Sequence, residues 1–242
     1  MKRIVDFVAS VLGLILLSPI LLVISFLIFL TDRGNPFYTA SRVGKKFQTF
    51  KMIKFRSMVL NADATGVDST GNNDQRITSI GKFIRRFKID ELPQLVNVLK
   101  GEMSLVGPRP NVEREVRLYS EQEKRLLEMR PGITDVSSIV FADEGEILAD
   151  KSDPDIAYNQ LIRPGKSHLG LFYVDNNSFL TDLRIILLTV QNSLNRESAL
   201  EGIVKLLVKS KASTSLIELA SRKTPLVPSP PPGMTSVITS RL

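Results

Sequence analysis

A chain of 242 residues is long enough for one good-sized domain with an attached segment. It has no cysteine and one histidine, His168, which excludes disulfides, thiolate nucleophiles, cysteine-based metal sites, a Ser-His-Asp triad and any two-histidine metal centre. The net charge of +7 is concentrated in residues 1–60, where nine Lys and Arg face only Asp6 and Asp32 while the remainder balances, a pattern that points to anionic headgroups or phosphates more than to a generally basic surface.

Ile4 to Leu30 is a run of 27 residues with one charge, Asp6, and is long enough to cross a bilayer. It is too long for the apolar region of a signal peptide, and no small-residue cleavage site follows it. Ser18-Pro19 lies at its midpoint, and the missing proline amide predicts a break there. Lys2 and Arg3 precede the run; Arg33, Arg42, Lys45 and Lys46 follow it. Positive charge on both flanks asks for two cytoplasmic ends, which a helix broken at Ser18-Pro19 and re-entering by one face satisfies. A plain single span is the alternative.

Gly34-Asn35-Pro36 is a turn, and Phe47 to Met58 reads as a short strand pair or extended segment carrying Lys51, Lys54 and Arg56. Residues 61–75 are polar and rich in Gly, Asn and Asp: a loop able to close over a substrate, or a plain linker. Ile80, Phe83, Ile84 and Phe87 then fall on one helical face with Lys82, Arg85, Arg86 and Lys88 around it, the pattern of a helix resting on an anionic membrane surface. Asp90 and Glu91 precede a second apolar period, and Pro93 fixes the helix start near Asp90. Such a carboxylate pair is either ordinary capping or, ionised by the helix dipole and flanked by cations, a nucleophile or magnesium ligand for a phosphorylated substrate.

Gly107-Pro-Arg-Pro110 cannot be helical and presents Arg109 at a set angle, suited to bidentate phosphate binding. Val112 to Arg130 reads as a charged helix ended by Pro131-Gly132. A helix from Asp153-Pro154 to Ile162 should break at Arg163-Pro-Gly165, and Phe179 to Leu194 is amphipathic. Ile203 to Leu219 reads as one more amphipathic helix. Thr224 to Gly233 holds five prolines in ten residues, which predicts a disordered or extended segment. His168 reads as structural or surface.

Five pieces of the chain together resemble the signature of the bacterial sugar transferases, the monotopic polyprenyl-phosphate phosphoglycosyl transferases. They are Lys54-Phe-Arg-Ser-Met58, Ile80-Gly-Lys-Phe-Ile-Arg85, Asp90-Glu-Leu-Pro-Gln94, Asn97 through Pro110, and Pro131-Gly-Ile-Thr134. The similarity runs over residues 1–194. It implies an α+β, mostly helical fold with a re-entrant anchor at 1–32 kinked at Ser18 and Pro19. A catalytic domain at 33–194 would sit on the cytoplasmic face of the bacterial inner membrane, followed by a variable tail at 195–242. It implies transfer of a phosphosugar from a UDP-sugar, with a preference for an N-acetylated one, to polyprenyl phosphate with release of UMP, as the first membrane step of glycan assembly. Asp90 would be the nucleophile, Glu91 its assistant, both of them ligands of Mg2+; Lys54, Arg56, Arg85 and Arg109 would bind phosphate. Asp182 and Thr189 match recurring positions of the family's closing helix. Residues 136–147, with Asp143, Glu144 and Glu146, would border the sugar site. Two departures stand out: Lys88, where the family more often has a small polar residue, and Asp135, where glycine is frequent. A catalytically inactive, membrane-anchored interaction protein is the alternative; for a nucleic-acid binder the chain carries no DNA or RNA motif.

Overall fold

Helix α1 (Lys2–Asp32) is a single element of 31 residues in the computed structural model, which describes residues 1–62 and 74–240. The loop expected at 61–75 lies largely outside the described residues. The break expected at Ser18-Pro19 is absent, and the reason is local. Pro19 has no amide to give the Ile15 carbonyl one turn back, and the Ser18 hydroxyl donates to that carbonyl instead, at 2.8 Å.

One stripe of α1 touches the rest of the protein. Near its start, the Lys2 ammonium donates to the Val106 carbonyl at 3.0 Å and to the Tyr173 hydroxyl at 2.9 Å, and pairs with Asp182. Asp6 accepts from the Ser104 hydroxyl at 2.9 Å and the Leu105 amide at 3.2 Å. Near its end, Ile24 and Ile28 pack with Phe55 and Ile84, and Asp32 receives both ends of the Arg56 guanidinium at 2.7 and 2.6 Å. The opposite side, including Leu12, Leu16, Leu22, Val23 and Phe26, is exposed, and the helix is long and apolar enough to cross a membrane.

Strands β1 (Phe37–Val43) and β2 (Thr49–Phe55) form an antiparallel hairpin in register from Phe37↔Phe55 to Val43↔Thr49. Helix α2 (Ser79–Arg86) follows, capped by the Thr78 hydroxyl accepting from the Gly81 amide at 3.0 Å. The single apolar face read from its sequence is divided between two environments. Ile84 is fully buried against α1 with Ile80 beside it, while Phe83 and Phe87 point outward with rings 5.1 Å apart. A 3-10 turn at Ile89–Gln94 then leads into α3 (Leu95–Lys100).

Strand β3 (Ser104–Val106) pairs in parallel with β4 (Gly132–Thr134), Ser104 opposite Gly132 and Val106 opposite Thr134. The segment between them, expected as one helix, is instead α4 (Glu113–Val116), α5 (Glu121–Lys124) and a 3-10 turn at Arg125–Glu128. Ser120 divides it: a Ser-x-x-Glu capping box with Glu123 restarts the helix there. Helices α6 (Val136–Val140), α7 (Glu144–Leu148) and α8 (Pro154–Ala157) come next. The break expected at Arg163-Pro-Gly165 is not made either. A π-helical turn at Tyr158–Ile162 carries the chain into α9 (Arg163–Asn176), and Pro164 falls in that helix's first turn, where no amide is needed.

The main core gathers Val136, Ile139 and Val140 of α6, Leu169 and Tyr173 of α9, and Ile185 of α10 (Phe179–Leu194). It also includes Ala199, Ile203 and Leu207 of α11 (Arg196–Lys209) and Ala220 of α12 (Thr214–Ser221). Residues 196–221, read from sequence as part of a variable tail, are therefore built into the body. Asp143 fixes them from outside the core by pairing with Arg196 and Arg222 at 2.8 Å each. Residues 222–240 carry no helix or strand but are tied down: the Ser229 amide donates to the Gln160 carbonyl at 3.1 Å, and the Gln160 side chain to the Ile238 carbonyl at 2.7 Å.

Candidate active site

The 3-10 turn at Ile89–Gln94 sets the site. It is entered through Lys88 in the left-handed conformation, φ 57°. It is packed against β2 by Asn97, a fully buried side chain one turn into α3. Asn97 accepts from the Ile53 amide at 2.9 Å and donates to the Lys51 carbonyl at 2.8 Å and Glu102 at 2.7 Å. That cross-link brings Lys54 over Glu91.

Arg109 arrives from the other side on a backbone crossing. The Gly107 amide donates to the Thr134 carbonyl and the Gly132 amide to the Pro108 carbonyl, both at 3.1 Å. A Cβ on Gly107 would meet the Arg130 carbonyl at 2.3 Å, and one on Gly132 would meet the Gly107 amide nitrogen at 2.1 Å, so both positions require glycine. The Gly-Pro-Arg-Pro and Pro-Gly-Ile-Thr strings, apart in sequence, are thus one structural unit that aims Arg109.

Glu91 Oε1 accepts from Lys54 Nζ and from Arg109 Nη2, each at 2.8 Å. Asp90 is equally buried, and its Oδ1 has no hydrogen-bond partner. The two carboxyls are driven apart. Burial and then the Glu91 charge push Asp90 above its ordinary value. Burial acts the same way on Glu91, but Arg109 and Lys54 outweigh it and hold that carboxyl well below its ordinary value. The result is a buried carboxylate without a partner beside a carboxylate spent on two cations.

The candidate residues do not all converge. Lys54, Asp90, Glu91 and Arg109 come together. Arg85 lies at the rim, its Nη1 3.5 Å from the Ser57 hydroxyl and its charge among those acting on Asp90. Arg56 stands apart: its guanidinium is locked on Asp32 at the end of α1, where it holds the anchor helix to β2 rather than facing Asp90. Ser18 and Pro19 lie on the exposed middle of α1. His168 is exposed on α9.

Other residues of the site were not among those assigned to nucleophile, metal or phosphate. Lys88 adds a charge that acts on both Asp90 and Glu91. Glu144 pairs with Lys166, whose ammonium lies 5.3 Å from the Tyr158 ring centre, in a pocket that also reaches Arg109 and Asp135. Asp135, the departure noted after Thr134, caps α6 by accepting from the Ser138 amide at 2.7 Å. Asn97 could have been found as a lone amide in an otherwise apolar helix face; the rest depend on folding. Asp182 and Thr189 hold α10 in place, the first on Lys2 and Tyr173, the second on the Thr134 hydroxyl at 2.7 Å.

Among the described residues no cluster of three or more Asp, Glu, His or Cys side chains stands ready to enclose a metal. The two carboxyls do suit Mg2+, which takes one or two carboxylates together with substrate phosphate oxygens, and Asp90 Oδ1 is free to serve.

The family model described as bacterial sugar transferase matches residues 1–196. The chain belongs to that family. It is 36% identical over 214 residues to an uncharacterized sugar transferase of Haemophilus influenzae, 82% of this chain and 42% of that protein. It is 35% identical over 204 residues to the exopolysaccharide production protein ExoY of Sinorhizobium fredii, 78% of this chain and 83% of that protein. It is 35% identical over 200 residues to the UDP-N-acetylgalactosamine-undecaprenyl-phosphate N-acetylgalactosaminephosphotransferase of Aeromonas hydrophila, 80% of this chain and 43% of that protein. The chain thus spans about two fifths of the first and third of these relatives and most of the second.

Proposed function

We propose that this bacterial sugar transferase moves a phosphosugar from a UDP-sugar to polyprenyl phosphate and releases UMP. The observation that carries the reading is Asp90: a buried carboxyl with an unpartnered oxygen, next to a Glu91 already neutralised by Lys54 and Arg109. The names of its relatives support the substrate class, and an N-acetylated sugar heads the candidates on the Aeromonas relative's name.

The chemistry runs in two displacements. An Asp90 oxygen attacks the sugar-proximal phosphorus; the bond from that phosphorus to the bridging oxygen breaks, and UMP leaves with the electron pair. A phosphate oxygen of the polyprenyl carrier then attacks the same phosphorus, and the bond to Asp90 breaks, restoring the carboxylate. Two anions must approach each other in both steps. Lys54, Arg85 and Arg109 lower that cost, each such donor contributing about 3 kcal/mol at the transition state. Mg2+ held by Asp90 and Glu91 would add charge neutralisation at the phosphates. Glu91 keeps Lys54 and Arg109 aligned before substrate enters.

The carrier is a lipid, so the site belongs at a membrane surface. The exposed apolar side of α1 and the outward Phe83 and Phe87 rings suit a bilayer, and Lys82 and Arg86 beside them suit anionic headgroups. Both ends of α1 are tied to the same body, which favours an anchor held at one face of the bilayer over one that spans. We take the membrane to be the bacterial cytoplasmic membrane, with the folded body on its cytosolic face.

The test is a panel of UDP-sugars, N-acetylated and neutral hexoses alike, incubated with undecaprenyl phosphate and Mg2+ and scored by UMP release. Mass spectrometry of enzyme incubated with the accepted donor alone should find a sugar-phosphate adduct on Asp90. Turnover without that adduct would overturn the covalent route.

A further inference from the structure

Gln94 ends the 3-10 turn four residues after Asp90 and is only 2% exposed. Its Nε2 is buried and has no hydrogen-bond partner. A buried amide hydrogen without an acceptor is costly and uncommon, so its position asks for an explanation. Asn97, three residues on, shows what the same segment does with a structural amide: its carbonyl and its NH2 group are both spent on protein groups. Gln94 is treated differently. The same short turn holds a second unpartnered atom, Asp90 Oδ1, so a donor and an acceptor lie idle within one turn of each other.

A phosphoryl group meets both needs. Its phosphorus is the target for the Asp90 oxygen, and its non-bridging oxygens are acceptors. A neutral amide can bind such an oxygen without drawing the carboxylate into an ion pair, which a further lysine or arginine would do. We propose that Gln94 Nε2 donates a hydrogen bond to a non-bridging oxygen of the phosphoryl group that Asp90 attacks. The proposal rests on the transferase reading above. Gln94 exchanges no proton: the bond formed is from an Asp90 oxygen to phosphorus, the bond broken is from phosphorus to UMP, and the amide holds the transferring group in line.

The test compares full-length wild-type enzyme with Gln94→Met and Gln94→Glu in detergent micelles containing undecaprenyl phosphate, Mg2+ and the accepted UDP-sugar. Methionine keeps the length and removes the idle donor. For Gln94→Met we expect kcat to fall by about 10²-fold, as for loss of one preorganised donor, with Tm unchanged or raised because an unsatisfied buried group has gone. Gln94→Glu sets an anion against the phosphoryl oxygens and should fall further. Wild-type kcat in Gln94→Met overturns the proposal. So does a fall of Tm in which the observed rate drops only with the folded fraction and kcat per folded molecule is preserved, which would make Gln94 a packing residue. Adduct formation on Asp90 separates the two levels: if the wild type forms none, the covalent reading fails and takes this proposal with it. If the wild type and Gln94→Met form it equally fast, only the role of Gln94 fails.

Discussion

Asp90 and Glu91 are neighbours on one turn, yet their carboxyls are pushed in opposite directions. The cause is an unequal share of the cations. Glu91 holds Lys54 and Arg109 directly, whereas Asp90 has burial and an adjacent negative charge to contend with. A nucleophilic carboxylate must be ionised, so the acid limb of kcat/KM, which reports the free enzyme, should lie above the ordinary aspartate value of 3.8. Glu91→Gln removes the adjacent charge and frees two cations to act on Asp90. Its residual activity should therefore show an acid limb at lower pH than wild type, although the rate itself falls.

The same opposition governs stability. A carboxyl raised in the folded state binds its proton more tightly there than when unfolded, so its contribution to stability declines as pH climbs through that raised value. Above that raised value Asp90 is ionised and the full cost is present. Asp90→Asn should abolish UMP release while raising Tm at pH 7, and the gain should shrink as pH falls. Glu91 behaves in the reverse sense, contributing stability above its unfolded value that is lost only as pH drops through its depressed folded value. Glu91→Gln should accordingly lower Tm at pH 7. Thermal unfolding of both variants across a pH series checks the two signs together.

Lys88 separates backbone conformation from charge. Its φ of 57° is left-handed, which costs a non-glycine residue about 1 kcal/mol. Lys88→Gly relieves that strain but frees the unfolded chain by a similar amount, so the net change should be within about 0.5 kcal/mol. The lysine charge, however, draws the Asp90 value down. Lys88→Gly and Lys88→Asn should therefore leave Tm nearly unchanged and move the acid limb of kcat/KM upward. A limb that does not move would show that the Lys88 charge does not reach Asp90.

How much of this was legible before folding depended on the range of each interaction. The helical period of Ile80–Phe87, the turn at Gly107–Pro110 and the Asp90-Glu91 pair are local, and each was visible. What joins Gly107 to Gly132, or Asn97 to Ile53, is backbone contact between distant segments, and no spacing reveals it. Arg56 illustrates the limit well. It stands two residues after Lys54 in the same basic run, yet Lys54 meets Glu91 and Arg56 meets Asp32. Proline misled twice, for different reasons: at Pro19 a serine hydroxyl replaces the missing donor, and at Pro164 a π-turn ends where none is required. Residues 196–221 were misjudged because the family signature stops before them, although Ala199, Ile203 and Leu207 already carried a core period.

Arg163 and Glu123 form a pair with 1% and 0% side-chain exposure, linking α9 to the capping box of α5. Glu123 also accepts from the Ser167 hydroxyl at 2.7 Å, and Arg163 donates to the Leu118 carbonyl at 2.8 Å. Removing one member of such a pair strands a buried charge and costs about 3–5 kcal/mol, while replacing both with apolar groups costs far less. Arg163→Met should lower the urea midpoint sharply. The double variant Arg163→Met with Glu123→Leu should recover much of it, less the loss of the α5 capping box. If the double variant is less stable than the single one, Glu123 is satisfied by Ser167 and the capping box without Arg163, and no stranded charge accounts for the loss.

The anchor gives the last prediction. Lys2 is tied to Asp182 and Asp32 to Arg56, so both ends of α1 belong to one body even though the helix is about 46 Å long. A helix crossing the bilayer once would separate those ends by the full thickness of the membrane and would have to give up one set of contacts. The chain has no cysteine, which leaves a clean background for single-cysteine labelling. A cysteine on a short extension ahead of Met1 and one replacing Arg33 should react with an impermeant maleimide from the same side of sealed vesicles, and one replacing the exposed Leu16 should be protected from both. Lys2→Ala and Arg56→Ala should loosen one end each and lower Tm. Labelling of the two ends from opposite sides would mean that the helix spans the membrane and that one of these two ion pairs does not form in the bilayer.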